Sequence, residues 1–282
     1  MGSPLRIVSA ASVSLEAYAA AFTESFRGYF LAVALDAVSL ARRVRFEQHD
    51  IANSLLAYDR TGEVAGVAAL AVRGPRGWCA GLGVVPRLRG RGHGRELMSA
   101  LVARARAAGL RRLTLEVLAP NVAARRLYEW AGMSVTRDLL VLERAAGDAG
   151  GAAPKTLRRA RAPREAPAAE LLAHYGRLHA EPPAWQRELA SLLAADLRGF
   201  YTGRRARPRA YALTGRALDG NTYVTDLAAA DRAGAEELCA ALGRVPGALR
   251  VVNEPERSPF AAPLLRHGFA EVMRQHEMSM EL

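Results

Sequence analysis

The sequence predicts an α/β protein of two domains, and three observations carry that prediction. Its 282 residues are about twice the roughly 150 of an average domain. The chain is 50% hydrophobic, and helical and strand-like periodicities alternate along it instead of collecting into a bundle. One order of elements (strand, helix, strand, short helix, strand) also occurs twice.

Residues 6–9 read as a first strand, and 15–26 and 35–45 carry helical spacing. Apolar strands at 55–58 and 64–72 flank a turn at 59–62, and 78–85 form the next strand. Over 95–108, Leu97, Leu101 and Ala105 recur every fourth residue on one face, and Gly109 stops the helix. A strand at 113–118, a helix at 122–130 and a strand at 135–142 complete the first half. Small residues, Pro154, Pro163, Pro167 and basic side chains then fill 145–168, a linker composition. The expected domains are therefore 1–144 and 169–282, joined by 145–168. In the second half, 168–179 and 185–197 read as helices and 209–213 and 222–228 as strands. They are followed by a helix at 231–242, a strand at 248–253, a helix at 259–267 and a strand at 271–280. LTLEVLAPNVAARRLYEWAGM lies beside LRVVNEPERSPFAAPLLRHGF with Gly132 opposite Gly268 and Met133 opposite Phe269, the mark of an internal duplication.

Thirty-nine basic against 28 acidic residues give a formal charge of +11, carried almost wholly by Arg. That charge is dispersed: Arg104, Arg106, Arg111 and Arg112 surround a helix end, Arg158, Arg159, Arg161 and Arg164 lie in the linker, and Arg204, Arg205, Arg207 and Arg209 fall in an expected loop. No recognition helix or basic-aromatic strand pair gathers it, which disfavours nucleic acid and favours a small anionic ligand. No apolar run reaches the roughly 18 residues of a membrane span, and the N-terminus lacks a secretory pattern, so a cytoplasmic location is expected. Cys79 and Cys239 are too far apart in sequence to form a metal or redox cluster. They read as reduced core residues, and no metal is expected.

The most specific segment is GLGVVPRLRGRGHGREL. A strand ends at Val84 and Val85, a proline follows, and Arg89, Gly90, Arg91, Gly92, His93 and Gly94 lead into a helix beginning near Arg95. Glycines let backbone N–H groups approach an anion closely, and a helix N-terminus adds unpaired donors and a partial positive field. With Arg89, Arg91 and Arg95 the turn reads as a cradle for a diphosphate. The P-loop pattern is excluded because Lys and Ser/Thr do not follow the last glycine. A dinucleotide fingerprint lacks its acidic residue about 20 positions downstream.

This segment, with Arg89-x-x-Gly92-x-Gly94 after Gly83-Val84-Val85-Pro86, and the following LEVLAPNVAARRLYEWAGM, resembles the GCN5-related N-acetyltransferase (GNAT) superfamily. The resemblance is close over residues 1–144, and 169–282 look like a divergent second copy. It implies a tandem GNAT-like acyl-CoA N-acyltransferase fold, with a mixed, mostly antiparallel sheet flanked by helices in each half. It also implies acetyl-CoA as acetyl donor. The pyrophosphate would lie over Arg89, Gly90, Arg91, Gly92, His93, Gly94 and Arg95, and the pantetheine arm beside Val84 and Val85. Asn121 and Ala124 would stand near the cofactor, and Tyr128 near its sulfur.

Direct transfer to a primary amine of a small molecule or peptide then needs no covalent intermediate. A backbone N–H at Val84 or Val85 would polarise the thioester carbonyl, and Tyr128 would protonate or stabilise the departing thiolate. Candidate bases are Glu116 and, before the second strand, Glu47, His49 and Asp50. The turn LAAADRAGAEEL in the second half lacks the glycines and arginines, and Leu264 stands opposite Tyr128, so one active centre is expected. Trp185, Arg187 and Tyr201 are candidate contact residues for the second half, whether the protein is a monomer or a homodimer. The competing account is a noncatalytic, CoA-responsive binding protein.

Overall fold

The computed structural model describes residues 4–146, 162–179, 181–216 and 222–282. Residues 147–161, the middle of the expected linker, lie outside the described residues. The chain forms two compact units, one running up to Thr136 and including Glu277–Leu282, the other Arg137–His276.

In the first unit, strands β1 (Arg6–Ser9), β2 (Leu55–Tyr58), β3 (Val64–Arg73) and β4 (Arg76–Val84) are successive antiparallel neighbours, and β5 (Arg112–Leu118) runs parallel to β4. The chain's end returns to this unit: the Leu282 N–H donates to the Arg111 carbonyl at 2.9 Å, and Met278 is buried in its core.

Helices α1 (Leu15–Ser25), α2 (Ala37–Glu47), α3 (His93–Ala107) and α4 (Val122–Trp130) start where the sequence supplies caps. Ser14, Asp36 and Asn121 accept N–H bonds from Ala17, Ser39 and Ala124. Only α3 begins on a glycine, Gly92, with φ of 89° and no side-chain cap. The expected apolar stripe of α3 is observed, with Leu97, Leu101 and Ala105 fully buried.

Glycines set how closely helices approach the sheet. A Cβ on Gly66 would come within 2.7 Å of Leu97 on α3, whereas one on Gly83 would come within 2.9 Å of Phe26 just after α1. Gly83 pairs with Val67, next to Gly66 in the ladder, and adjacent residues of a strand face opposite sides. Helices α1 and α3 therefore cover opposite faces of one sheet.

The functional geometry begins where β4 leaves β5. The two strands pair only at Arg76↔Arg112, Gly77↔Leu113 and Trp78↔Thr114. On the other side of β4 the register runs from Leu70↔Cys79 to Ala69↔Gly81, so Ala80 is an extra, bulged residue. A bulge bends its strand and raises the local twist. Here it coincides with the point where β4 and β5 part into a fork.

The second unit contains the course of β6 (Ser134–Arg144) from Arg137 onward, followed in space by β11 (Leu249–Pro255), β10 (Thr222–Ala229), β9 (Arg207–Arg216), β8 (Arg198–Arg204) and β7 (Arg164–Pro167). Of these neighbours only β10 and β11 run parallel, as β4 and β5 do in the first unit. The aligned Gly132 and Gly268 share left-handed φ values of 95° and 89°, matching the duplicated layout.

Several expectations for this half need correction. Strand β7 occupies the end of the stretch expected to be linker. The loop expected around Arg204–Arg209 is a hairpin, because Arg204 pairs with Arg207 and the unforeseen β8 precedes it. The helices expected at 168–179 and 185–197 are broken into Ala168–Leu172, Tyr175–Leu178 and Leu189–Leu193, with a single 3₁₀ turn at Trp185–Arg187. Pro182 and Pro183 separate them, and Glu188 is extended at ψ 150°. The candidate contact residues Trp185, Arg187 and Tyr201 are 4%, 4% and 5% exposed and belong to the interior, Trp185 as an ordinary buried tryptophan.

Candidate active site

At the open end of the β4–β5 fork lies a cavity of about 630 Å³. One wall is Ser25, Phe26, Gly28, Tyr29 and Phe30, another is the end of β4 at Leu82, Gly83 and Val84, and a third is α4 with Asn121, Ala124, Arg126, Leu127 and Tyr128. The glycine-rich turn closes the rim with Arg89, Gly90, Gly92, Gly94 and Arg95.

The turn folds as it does because the chain must reverse from β4 into α3. A 3₁₀ turn at Pro86–Leu88 makes the first bend, and left-handed backbone at Gly90 (φ 75°) and Gly92 (φ 89°) makes the second. A Cβ at either glycine would meet nothing within 4 Å, so what these glycines provide is conformation, not clearance from the protein. Among the described residues, the backbone N–H groups of 90–94 have no protein acceptor. They are the open donors of a helix N-terminus and fit an anionic phosphate.

The arginines of the turn differ in what they do. Arg89 is engaged with the protein: its Nε donates to the Val84 carbonyl at 2.9 Å, and its Nη2 donates to the carbonyls of Ser25 at 3.2 Å and Arg27 at 2.7 Å. It braces the end of β4 against the end of α1. Arg95 lies 4.8 Å over the Trp130 ring on α4, while Arg91 is exposed and off the cavity wall. His93 faces inward, 5% exposed, with Nδ1 3.4 Å from Glu96 Oε2. Its side chain does not line the turn as expected.

Val85 is likewise removed from the candidates for polarising a carbonyl. It is 1% exposed, and its N–H donates to Ala65 at 3.0 Å. Because N–H and C=O groups alternate sides along a strand, the groups of Val84 and Leu82 turn the other way, into the fork. The Val84 carbonyl is the one Arg89 holds, which fits that orientation.

Tyr128 is 7% exposed and lines the cavity from α4. Burial, reinforced by the nearby Cys79 and Tyr29, raises its pKa well above the phenolic value, so at neutral pH it carries its proton and can donate it. Tyr29, which no spacing in the sequence had marked, packs edge-on against Phe26 at 5.4 Å. Its pKa is raised by burial and lowered in part by the Asn121 side chain. Phe26 in turn stacks on Phe22 at 4.9 Å, so an aromatic ladder runs from the interior of α1 to the cavity.

The structure does not bring the candidate bases to this cavity. Glu116 Oε2 accepts from the Trp78 indole at 2.7 Å. Asp50 holds its own turn, accepting from the Asn53 N–H at 3.0 Å and its amide at 2.7 Å. Glu47 is buried, 2.6 Å from Arg43 Nε and 2.7 Å from His49 Nε2. Arg43 also donates to the carbonyl of the bulged Ala80 at 2.8 Å, so this cluster secures the bulge. The Cys79 thiol is buried and pushed up to about 12 by desolvation, which keeps it protonated. Among the described residues no cluster of three or more His, Cys, Asp or Glu could hold a metal ion, and no helix is long and apolar enough to cross a membrane.

Comparison with known proteins agrees with this geometry. Residues 16–133 match the acetyltransferase (GNAT) family. A GCN5-related N-acetyltransferase from Sphaerobacter thermophilus superposes with a TM-score of 0.67 at 15% identity, covering 98% of this chain and 95% of that one. A tandem GNAT protein from the clavulanic acid biosynthesis pathway gives 0.66 at 16% identity, covering 98% of both chains. A structure described as a putative acetyltransferase from Pyrococcus horikoshii gives 0.64 at 14% identity over 99% of this chain and 89% of that one. No curated protein matches the sequence. The chain therefore has a tandem GNAT-like α/β fold, and residues 16–133, within its first unit, match the acetyltransferase (GNAT) family.

Proposed function

We propose that the first unit transfers the acetyl group of acetyl-CoA directly to a primary amine of a small molecule or peptide. One observation carries this reading: a single cavity has unpaired backbone donors at its rim and the buried, protonated Tyr128 on its inner wall, with the parted edge of β4 between them. The N–H groups of 90–94, with Arg95 and Arg126, bind the phosphates. The fork edge at Leu82 and Val84 takes the amide-rich arm, and its N–H groups steady the carbonyl oxygen as it gains charge.

The amine lone pair forms the new C–N bond at the thioester carbon. The C–S bond then breaks with its electron pair on sulfur, and Tyr128 gives that sulfur its phenolic proton. Tyr128 recovers a proton from solvent, and the amine loses its extra proton to water. We assign that last step to water because, among the described residues, no Asp, Glu or His lines the cavity, which leaves Glu116 and Asp50 in structural roles. Reduced, unpaired Cys79 and Cys239 support a cytoplasmic setting.

A thiol-release assay over a panel of amines, with product masses checked for one added acetyl group, tests this function. Tight acetyl-CoA binding without release on any amine would favour the noncatalytic alternative.

A further inference from the structure

The second unit repeats the fork of the first and fills it with its own side chains. Among the described residues, strands β10 and β11 pair at Thr222↔Leu249, Tyr223↔Arg250 and Val224↔Val251. The register with β9 then jumps from Val224 to Asp226, leaving Thr225 as the bulged residue, as Ala80 is in β4. Beyond the bulge the strands part at Asp226–Leu227 and Asn253–Glu254. In the first unit the equivalent opening leads to a cavity of about 630 Å³, and here only about 120 Å³ remains.

Arg187 takes the missing space. Its Nε donates to Asp226 Oδ1 at 3.2 Å and its Nη2 to the Leu227 carbonyl at 3.2 Å, both on β10. Its Nη1 donates to Glu254 Oε2 at 2.5 Å and to the Asn253 carbonyl at 3.2 Å, both on β11. One guanidinium thus bridges both prongs, and two of its acceptors are backbone carbonyls of the parted strands. Asp226 is also held by the Tyr211 hydroxyl at 3.0 Å and lies 3.2 Å from His179 Nε2. Arg187, Asp226 and Glu254 are 4%, 0% and 1% exposed.

The other end of the slot is filled independently. The helix after β4 begins on the uncapped Gly92 with open N–H groups. The helix after β10, Arg232–Leu242, is capped by Asp231, whose Oδ1 accepts from the Gly234 N–H at 2.7 Å. A carboxylate, itself paired with Arg209 at 3.2 Å, therefore occupies the N-terminal donor that an incoming phosphate would need unpaired.

We propose that the second fork is an acyl-CoA slot converted to internal occupancy, with Arg187 in place of the acyl-pantetheine arm and Asp231 in place of the phosphates. The proposal rests on the reading of the first fork as the acetyl-CoA site. The chain then takes one acetyl-CoA, and the second fork serves as an ionic clamp on β10 and β11. Removing the guanidinium strands the buried Glu254 carboxylate, leaves buried Asp226 to Tyr211 and His179 alone, and opens a hole of its own shape.

The experiment uses the full chain in two parts. Calorimetric titration of the wild type with acetyl-CoA should give one equivalent bound. Arg187→Ala should lower the melting temperature by roughly 10 °C. Guanidinium chloride at about 10 mM should restore part of that loss, while the same concentration of sodium chloride does not. Zero equivalents in the wild type would strike the reading of the first fork and leave the melting data to judge the clamp. Two equivalents, or an Arg187→Ala protein that melts with the wild type or responds equally to both salts, would overturn the proposal. If Arg187→Ala does not fold, Arg187→Lys replaces it. An ammonium cannot bridge four acceptors, so wild-type melting in that variant would equally overturn the clamp.

Discussion

Arg89 Nε donates to the carbonyl of Val84 at 2.9 Å, tying the first arginine of the glycine-rich turn to the last residue of β4. The same guanidinium holds the carbonyls of Ser25 and Arg27. The side chain that pattern alone would place on a phosphate therefore fixes two cavity walls relative to each other. In the proposed site it would act on acetyl-CoA binding through the shape of the fork.

Arg89→Ala should lower stability by about 1–2 kcal/mol, since three charge-assisted bonds disappear from a mostly exposed side chain. It should also raise the KM for acetyl-CoA. Arg89→Lys should recover little of either, because an ammonium cannot reproduce the planar fork of donors. Thermal melts and steady-state kinetics with varied acetyl-CoA check both outcomes.

Gly92→Ala should cost about 1–2 kcal/mol through backbone strain, because φ at this position is left-handed. An added methyl meets no protein atom, so the loss should appear in the melting temperature as well as in acetyl-CoA affinity. Full stability with lost affinity would instead indicate obstruction of the ligand alone.

Burial raises the folded pKa of Tyr128, so the donating, protonated form persists through the alkaline range. The kcat profile should show no loss attributable to this residue between about pH 8 and 10. An amine acceptor that deprotonates over that range should make the rate rise. A descending limb below about pH 10 with a weakly basic acceptor would count against Tyr128 as the acid.

Acid should act through Glu47 and Asp226. Burial opposes their charge, but Arg43 and His49 around Glu47, and His179 and Arg187 around Asp226, outweigh it and lower both folded pKa values. For a carboxyl depressed on folding, the stabilisation is complete above its unfolded pKa, near 4, and disappears as pH falls through the folded value. Melting temperature should therefore be flat from neutral pH to about pH 5 and fall below about pH 4. Glu47→Gln should shrink that acid response.

Much of the fold was legible because the relevant signals are local. The four-residue spacing of Leu97, Leu101 and Ala105 declares the buried face of α3, and the clustered glycines declare its open N-terminus. The site was less legible where side-chain direction or long-range partners decide. Spacing cannot tell that His93 turns inward to Glu96, that the Val85 N–H is spent on Ala65, or that the Asp50 carboxylate is held by Asn53 in its own turn. Tyr29 lies in FRGYF, which has no periodicity, and its place on the cavity wall depends on α1 docking against Gly81 and Gly83. Arg187 sat among many scattered arginines, and its acceptors, Asp226 and Glu254, lie 39 and 67 residues away.

The central claim is that Tyr128 completes a single acetyl-transfer site in the first unit. Its most direct test is the thiol-release kcat of Tyr128→Phe on an amine that the wild type turns over, with acetyl-CoA affinity measured in parallel. The predicted result is a fall in kcat of about 10²-fold or more with acetyl-CoA affinity within a few-fold of wild type. Unchanged turnover at unchanged affinity would contradict it.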